Sequence, residues 1–312
     1  MREAVFDTVV RARAPLQVGL CGLHATIARF AQATLRALPE RTVRIRSLEL
    51  EDATDYAPGA SPPLDERFGN VAACLRRVRA EAAALEHGLE IDLATDAPPG
   101  CGLGAPSALA VAIIGAFAAW QGLDLAPHAI AELAREVGPG PGGALDAYAS
   151  TFGGFALVER RGERGAAMRP LPVDPDVVHE LQRRSLLVFS DTRRTPVGPP
   201  FPEVLGGTLA TEAGTALLEG RLDVLACLLH EEWVSGPDVA DTGELYAAAR
   251  AAGALGGTRC GTGAGGCVLL LCPPERRPAV RRRLRDLGAR VSAVEFTSAG
   301  LRSWLQDAEE AP

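Results

Sequence analysis

A glycine-rich segment, Pro98 to Gly104, constrains the fold of this chain more than any other stretch. It follows Leu89 to Ala94, where apolar and polar residues alternate as in a half-buried strand. It precedes Ala105 to Trp120, which is almost wholly apolar and rich in alanine. This order predicts a strand, a glycine loop and a buried helix, so that backbone N–H groups and a helix N-terminus meet at one point. Such a point suits phosphate, although the spacing alone is as compatible with a plain tight turn.

The glycine loop follows neither of two common nucleotide-binding patterns. It lacks the Gly-Lys-Ser/Thr ending of a P-loop and the GxGxxG spacing of a dinucleotide-binding turn. Its glycines, Gly100, Gly102 and Gly104, allow close approach to the backbone and positive φ angles that other residues rarely adopt.

The charge of the chain limits its partners. All 32 basic residues are arginine, and 39 acidic residues leave a formal net charge of -7. This balance argues against a nucleic-acid partner. The cluster Arg281, Arg282, Arg283 and Arg285 falls in a predicted helix and is interpreted as a solvated face, with local anion binding as the alternative. Positive charge at any active site must come from arginine.

Length and cysteine content limit the number of domains and the cellular compartment that we expect. The 312 residues accommodate two domains or one large domain, and 47% hydrophobic residues predict a substantial core. The seven cysteines form no CxxC pair and no zinc-like spacing, so neither disulfides nor a structural metal are expected. The first ten residues do not resemble a signal peptide and no apolar run reaches membrane-spanning length, so we expect a cytoplasmic protein with no membrane partner.

Hydrophobic periodicity predicts a mixture of strands and helices. Further strands are expected at Val9 to Leu20, Val43 to Leu50, Leu186 to Phe189, Cys267 to Cys272 and Val291 to Phe296. Further helices are expected at Asn70 to Leu85, Ile130 to Val137, Leu209 to Leu229, Gly243 to Ala252 and Pro278 to Leu287. Loops are expected at Asp55 to Pro63, Gly138 to Gly143, Val197 to Pro202 and Gly253 to Gly266, with a domain boundary within Arg160 to Pro175.

Three segments, in sequence order, resemble motifs of the GHMP superfamily of small-molecule kinases. Pro98 to Ala108 is similar to the family's Pro-Pro-Gly-x-Gly-Leu-Gly-Ser-Ser-x-Ala, with Ala105 and Pro106 in place of the serines. Gly142 to Phe155 resembles Gly-Gly-Lys-Gln-Asp-Gln-Tyr-Ala-Ala-x-Phe-Gly-Gly-Phe. Gly256 to Gly266 resembles the glycine loop before a C-terminal strand of that family. The similarity is strongest to its heptose-phosphate kinases.

This resemblance implies an α+β fold of two domains and a kinase activity. The implied domains are a ribosomal-protein-S5-like domain at residues 1–165 and a ferredoxin-like domain at residues 166–312. The implied reaction is ATP-dependent phosphorylation of a small sugar or sugar phosphate, in a protein for which a homodimer is an open option. The implied phosphate-binding residues are Pro99, Gly100, Cys101, Gly102, Leu103, Gly104 and Ser107.

Further site residues follow from the same resemblance. Asp146 falls on the family's catalytic aspartate, which would accept or orient the proton of the attacking hydroxyl. The implied substrate contacts are His24, Thr26, Gly263, Ala264 and Gly265. On the residues alone, Asp146 is also interpretable as a carboxylate satisfied by backbone N–H groups, and a lone histidine is as often structural as functional.

The first family motif is interrupted in this chain. In the family, Arg-Ala-Pro-Leu-Arg-Ile leads through a Gly-Gly-Gly-Thr-Asp sugar-binding loop to Asn-Ala-Thr-Ile. Here Arg13 to Leu20 is followed almost directly by Cys21 to Ile27, so the usual sugar-binding loop is missing. Thr26 is retained, and His24 stands where the family has asparagine.

Magnesium is the second cofactor that the resemblance implies. Ser107 is the nearest remaining hydroxyl of the central motif, and Glu136, with Glu132 as alternative, is the candidate carboxylate. The missing serines leave a second hypothesis open, a non-kinase on the same fold. Such a protein would be a nucleotide- or partner-binding pseudoenzyme, or an enzyme with altered chemistry such as ribosyl transfer from a phosphorylated donor.

Overall fold

The computed structural model describes residues 8–48, 51–57, 71, 73–74, 77, 88–98, 100–137, 140–161, 165–190, 208–236, 240–261 and 266–307. The strands in this part of the chain are β1 (Thr8–Leu20), β2 (Leu23–Leu38), β3 (Val43–Ser47), β4 (Asp52–Tyr56), β5 (Gly88–Thr95), β6 (Phe155–Arg161), β7 (Gly165–Pro170), β8 (Ser185–Phe189), β9 (Gly256–Arg259), β10 (Cys267–Leu271), β11 (Arg290–Ala293) and β12 (Arg302–Asp307). The helices are α1 (Ala105–Gln121), α2 (Pro127–Val137), α3 (Gly140–Phe152), α4 (Pro175–Arg184), α5 (Thr208–Leu218), α6 (Leu222–Ser235), α7 (Ala240–Ala251) and α8 (Arg277–Asp286).

The larger sheet is organised around the hairpin of β1 and β2. Its order is β12-β1-β2-β5-β3-β4, and β6 joins the start of β2 with β7 beside it. The pairs are antiparallel except β3 with β5. The register shifts where Pro15 pairs with Phe30 and Leu16 pairs with Ile27, so the extra residues Ala28 and Arg29 form a bulge in β2. One end of β2 pairs with β5 and the other with β6.

Helix α1 covers this sheet as the sequence predicts. It packs on β1 and β2 and also contacts α2 and α3. Its residues from Val111 to Phe117 are buried on every side, including Ile113, Ile114 and the phenyl ring of Phe117. A helix that is apolar all round is stable only inside a protein, so α1 lies between the sheet and the two helices.

The smaller sheet has the ferredoxin-like strand order. Its order is β11-β8-β10-β9, with antiparallel pairing throughout. Leu186 and Val188 of β8 lie in a cluster with residues of α7 and α8, whereas Leu187 and Phe189 lie in the main core. The alternation of side chains along a strand therefore joins this sheet to the rest of the molecule.

Several predicted elements require correction. The helix predicted at Leu209 to Leu229 is two helices, α5 and α6, because Gly220 adopts φ +69° between them, a conformation that ends a helix. The run Gly138 to Gly143 does not remain a loop, since α3 begins at Gly140, and proline is tolerated in a first turn. The glycine-dense segment from Gly253 contains β9.

Other errors concern strands at the edges of the sheets. The predicted loop at Asp55 begins inside β4, and the strand predicted to Phe296 ends at Ala293. No strand was expected at β12, which pairs with β1. None was expected at β2, which pairs with β1, β5 and β6. The predicted loop at Val197 to Pro202 and most of the helix at Asn70 to Leu85 lie outside the described residues.

The two sheets do not follow one another simply along the chain. Strand β7 pairs with β6, and β12 returns to the larger sheet after the smaller sheet is complete. The division at residues 165 and 166 therefore stays a prediction. Within the described residues no helix is both long and apolar enough to cross a membrane.

Thr26 connects three segments at the junction between the sheets. Its hydroxyl donates to the carbonyl of Thr297 at 2.7 Å and accepts from the N–H of Gly154 at 2.7 Å. Its backbone N–H donates to Gly154 O at 3.0 Å, and its carbonyl accepts from Thr297 N at 3.0 Å. Thr26 is 1% exposed, and its partners Gly154 and Thr297 are half-buried. The structure thus gives Thr26 a fold-stabilising position, and its proposed contact with substrate stays a prediction.

We expect Thr26→Val to lower the free energy of unfolding by about 1–3 kcal/mol, because the two hydrogen bonds of the Thr26 hydroxyl, to Gly154 and Thr297, are lost. Thr34→Val is the matched control, since Thr34 lies on the same strand, is half-buried and makes no side-chain hydrogen bond within the described residues. Its change should stay within about 0.5 kcal/mol. Urea unfolding of both variants tests this. Equal stability of the two would show that the Thr26 contacts do not hold the segments together.

Candidate active site

The predicted glycine loop lies between β5 and α1. Gly100, Gly102 and Gly104 all have positive φ, at +73°, +85° and +69°. Gly104 is the N-cap of α1, and no side chain caps the first N–H groups of that helix. Nothing lies within 4 Å of a Cβ placed on Gly100. An uncapped helix N-terminus beside open backbone is the geometry that binds phosphate.

A second glycine segment touches this loop at the backbone level. A Cβ on Gly102 would lie 2.0 Å from the carbonyl oxygen of Cys260, and a Cβ on Gly261 would lie 2.7 Å from the Cα of Gly102. Gly261 also has a positive φ, +78°. The loop after β5 and the segment after β9 therefore meet where only glycine fits.

Three buried thiols surround this contact, Cys101, Cys260 and Cys267. The N–H of Cys260 donates to the carbonyl of Cys267 at 3.0 Å. Burial raises the pKa of Cys101 to about 11 and raises the pKa of Cys267 well above its usual value. A thiol that stays protonated is a poor nucleophile, so Cys101 and Cys267 pack the contact without a nucleophilic role.

Asp146 lies beside the first turn of α1. A Cβ on Gly104 would be 3.3 Å from Asp146 Oδ2 and 3.2 Å from Gln17 Cγ, so both side chains border the loop. The N–H of Gln17 donates to the carbonyl of Leu103 at 3.1 Å, which fixes the loop to β1. The structure thus brings together the carboxylate and the phosphate loop that the family resemblance paired.

Gln17 is the site residue that sequence analysis missed. It is buried on β1, and its amide Nε2 donates to Asp146 Oδ1. Its Oε1 lies 2.5 Å from His24 Nδ1. Two signals were available. Gln17 is a polar residue among the apolar residues of a buried strand, and it occupies the position of an arginine in the family motif.

His24 is placed on β2, directly behind Gln17. Burial lowers the pKa of His24 to about 4, so its imidazole is neutral near pH 7. Because a carboxylate only accepts, the amide nitrogen of Gln17 faces Asp146 and its oxygen faces His24. The Nδ1 of His24 must then carry the proton and donate it, which leaves Nε2 as an acceptor.

The missing sugar-binding loop is replaced by a two-residue hairpin turn. Leu20 pairs with Leu23, and both turn residues, Cys21 and Gly22, have positive φ. That combination is typical of a type I′ hairpin, whose twist matches the strands. Behind the turn, burial raises the pKa of Glu232, although hydrogen bonds with Thr258 and Cys21 act in the opposite direction.

The proposed metal ligands do not form a cluster in this structure. Ser107 is 1% exposed, whereas Glu136 pairs with Arg77 at 2.9 Å on the surface. Glu132 accepts from the hydroxyl of Tyr148 and pairs with Arg135. Within the described residues no group of three or more His, Cys, Asp or Glu side chains is arranged to hold a metal. These carboxylates thus have protein partners of their own.

One arginine lies beside the segment that leads into the glycine loop. Arg29 donates to the carbonyl of Asp96 at 3.0 Å and to Ser292 Oγ at 3.1 Å, which bridges the two sheets. Its guanidinium lowers the pKa of Cys101, although burial dominates that thiol. Sequence analysis did not identify Arg29 as a site residue, because no local feature of β2 distinguishes it from Arg36 on the same strand.

The remaining predicted residues lie elsewhere. Pro99, Gly263, Ala264 and Gly265 are outside the described residues. The arginine cluster of α8 is exposed, as expected for a solvated face. A cavity of about 510 Å³ runs beside that helix, and its lining contains none of the predicted site residues.

Comparison with known proteins agrees with this arrangement. The profile of the GHMP kinases N terminal domain matches residues 69–154, and that of the GHMP kinases C terminal matches residues 215–290. The chain belongs to the GHMP kinase family. Its two-domain mixed fold is that of GHMP kinase structures.

Three relatives illustrate the similarity. The D-glycero-alpha-D-manno-heptose 7-phosphate kinase of Campylobacter jejuni is 26% identical, over 95% of this chain and 98% of that protein. The mevalonate kinase of Pyrococcus furiosus is 28% identical, over 94% and 98%. The structure of a D-glycero-D-manno-heptose 1-phosphate kinase from Bacteroides thetaiotaomicron has a TM-score of 0.79 at 26% identity, over 95% of this chain and 98% of that one.

The backbone contact at Gly102 predicts a difference between two glycine substitutions. Gly102→Ala and Gly100→Ala share the cost of a positive φ, about 1–2 kcal/mol each. Only at Gly102 does the new Cβ overlap a backbone carbonyl. We therefore expect Gly102→Ala to be the less stable of the two in urea unfolding and to lose its thermal shift with ATP. Equal unfolding midpoints and slopes for Gly102→Ala and Gly100→Ala would contradict the close backbone contact at Gly102.

Proposed function

We propose that this chain transfers the γ-phosphoryl group of ATP to a hydroxyl of a sugar phosphate. The observation that carries the proposal is the Asp146 carboxylate beside Gly104, at the N-terminus of α1. Kinases need the attacking hydroxyl and the phosphate held next to each other, and this juxtaposition meets that need. The heptose-phosphate kinases among the relatives support a sugar phosphate as the acceptor.

Each part of the site has a defined task in this proposal. Gly100, Gly102 and Gly104 expose backbone N–H groups to the phosphates, and the α1 dipole stabilises their negative charge. The acceptor oxygen forms the new P–O bond as the bond between the γ-phosphorus and the bridging oxygen breaks and ADP leaves. The hydroxyl proton passes to Asp146 Oδ2, because Oδ2 is the carboxylate oxygen that borders Gly104.

The residues fit ATP better than they fit a resident magnesium ion. The open backbone at Gly100 and the uncapped helix leave space and donors for phosphate. Glu132 and Glu136 are paired with other side chains, and Ser107 is buried. Magnesium commonly binds through nucleotide phosphates and water with one or two protein ligands, so we propose that it enters with ATP.

Positive charge in this site comes from an arginine and not from a lysine. Arg29 already bridges Asp96 and Ser292, next to the loop. A guanidinium has five donors, so two donated bonds leave others for a phosphate oxygen. We propose that Arg29 contributes the fixed positive charge beside the phosphates.

The proton-accepting role of Asp146 is tested by Asp146→Asn. Phosphate transfer is measured with ATP, magnesium and a panel of heptose and hexose phosphates. We expect kcat to fall by about 10²–10⁴-fold, because general base catalysis is lost, while the thermal shift with ATP persists. Asp124→Asn is the control, since Asp124 is an exposed carboxylate in the turn between α1 and α2.

Two outcomes would overturn the proposal. The first is a wild-type protein that consumes no ATP with any sugar phosphate in the panel. If such a protein still bound ATP, a nucleotide-binding role without phosphoryl transfer would replace it. The second is an Asp146→Asn variant as active as Asp124→Asn.

A further inference from the structure

The three side chains Gln17, His24 and Asp146 form a chain of hydrogen bonds with one direction. The imidazole Nδ1–H of His24 donates to Gln17 Oε1 at 2.5 Å, and Gln17 Nε2–H donates to Asp146 Oδ1. Each link fixes the next, since reversing the amide would set its oxygen against the carboxylate oxygen. The chain ends at the carboxylate that borders Gly104.

We propose that Gln17, held by His24, is the positioning residue that orients Asp146 for phosphoryl transfer. This inference rests on the proposed function, because it concerns the same carboxylate. The family motif places arginine at this position, so this chain positions its aspartate with a neutral amide. One carboxylate oxygen is held by Gln17, and the other faces the loop where the acceptor hydroxyl must lie.

The surroundings of Gln17 suit an orienting role. The residue is 5% exposed, and its backbone N–H already holds Leu103 of the phosphate loop at 3.1 Å. Gln17 therefore fixes the position of the loop through its backbone and the orientation of the Asp146 carboxylate through its side chain. A buried amide with both ends hydrogen-bonded has little rotational freedom, which keeps the two parts in register.

His24 supplies the fixed end of the chain. It faces Ala156 of β6 and Gly19 of β1 across the sheet, positions without charge. A neutral imidazole donor holds the amide oxygen without placing a positive charge near Asp146. The family's asparagine at this position also has an N–H donor. His24→Asn therefore preserves a donor to Gln17, whereas His24→Leu removes it.

The test compares Gln17→Met, which keeps the shape of the side chain and loses both hydrogen bonds, with wild type. We expect kcat to fall by about 10²-fold, the cost of a misplaced catalytic group, with KM for ATP nearly unchanged. His24→Leu should lose more of kcat than His24→Asn. The matched control is Gln32→Met, because Gln32 is exposed on the neighbouring strand β2.

A spectroscopic measurement separates this inference from the kinase proposal. Proton–nitrogen spectra of histidine-labelled protein should show a protected Nδ1–H of His24 in wild type and Gln32→Met, and lose it in Gln17→Met. That result supports the hydrogen-bond chain even if the wild type proves to have no kinase activity. If the signal is absent in wild type, the chain does not exist.

The kinetic outcomes decide the positioning role itself. A Gln17→Met variant that keeps its thermal shift with ATP and the wild-type kcat would overturn it. If Gln17→Met proves too unstable to assay, the His24→Asn and His24→Leu pair decides the question, since neither changes β1. Equal kcat values for that pair would overturn the role as well.

Discussion

The close contact between the backbone of Gly102 and the backbone of Cys260 and Gly261 is the constraint on which the site depends. It joins the loop after β5, in the larger sheet, to the segment after β9, in the smaller one. A Cβ fits neither at Gly102 nor at Gly261 at this distance. The relative placement of the sheets is thereby fixed beside the N-terminus of α1, where the proposed phosphate site lies. Arg29 and Thr26 reinforce the same junction through side-chain hydrogen bonds.

Periodicity predicted the parts of the fold that a single strong pattern defines. Helix α1 and strands β5 and β8 have uninterrupted apolar or alternating residues, and they form where expected. Strand β12 was missed because its pairing with β1 depends on a contact nearly 300 residues away in sequence, which no local pattern records. The division between α5 and α6 depends on one glycine φ angle, and a glycine within an apolar stretch is also compatible with a continuous helix.

The site residues likewise differ in whether local sequence or distant contacts identify them. The glycine loop and Asp146 were identified through motif resemblance, and the structure brings them together. Gln17 was not identified, because its function depends on the side chain of a helix more than a hundred residues later. The placement of Thr26 shows the converse. Its hydroxyl is engaged with backbone groups of two distant segments, so a motif residue here has a structural explanation that the sequence alone did not offer.

The glutamine at position 17 gives the geometry around Asp146 a physical explanation. An arginine at position 17 would hold Asp146 through an ion pair, and its large guanidinium would need space beside Gly104, where a Cβ would already lie only 3.2 Å from Gln17 Cγ. A glutamine orients the carboxylate with less volume and without a formal positive charge. A hydrogen bond from a neutral amide lowers the proton affinity of a carboxylate less than a neighbouring cation does. A carboxylate with the higher proton affinity is the better acceptor for a hydroxyl proton, so the exchange of arginine for glutamine is compatible with the role proposed for Asp146.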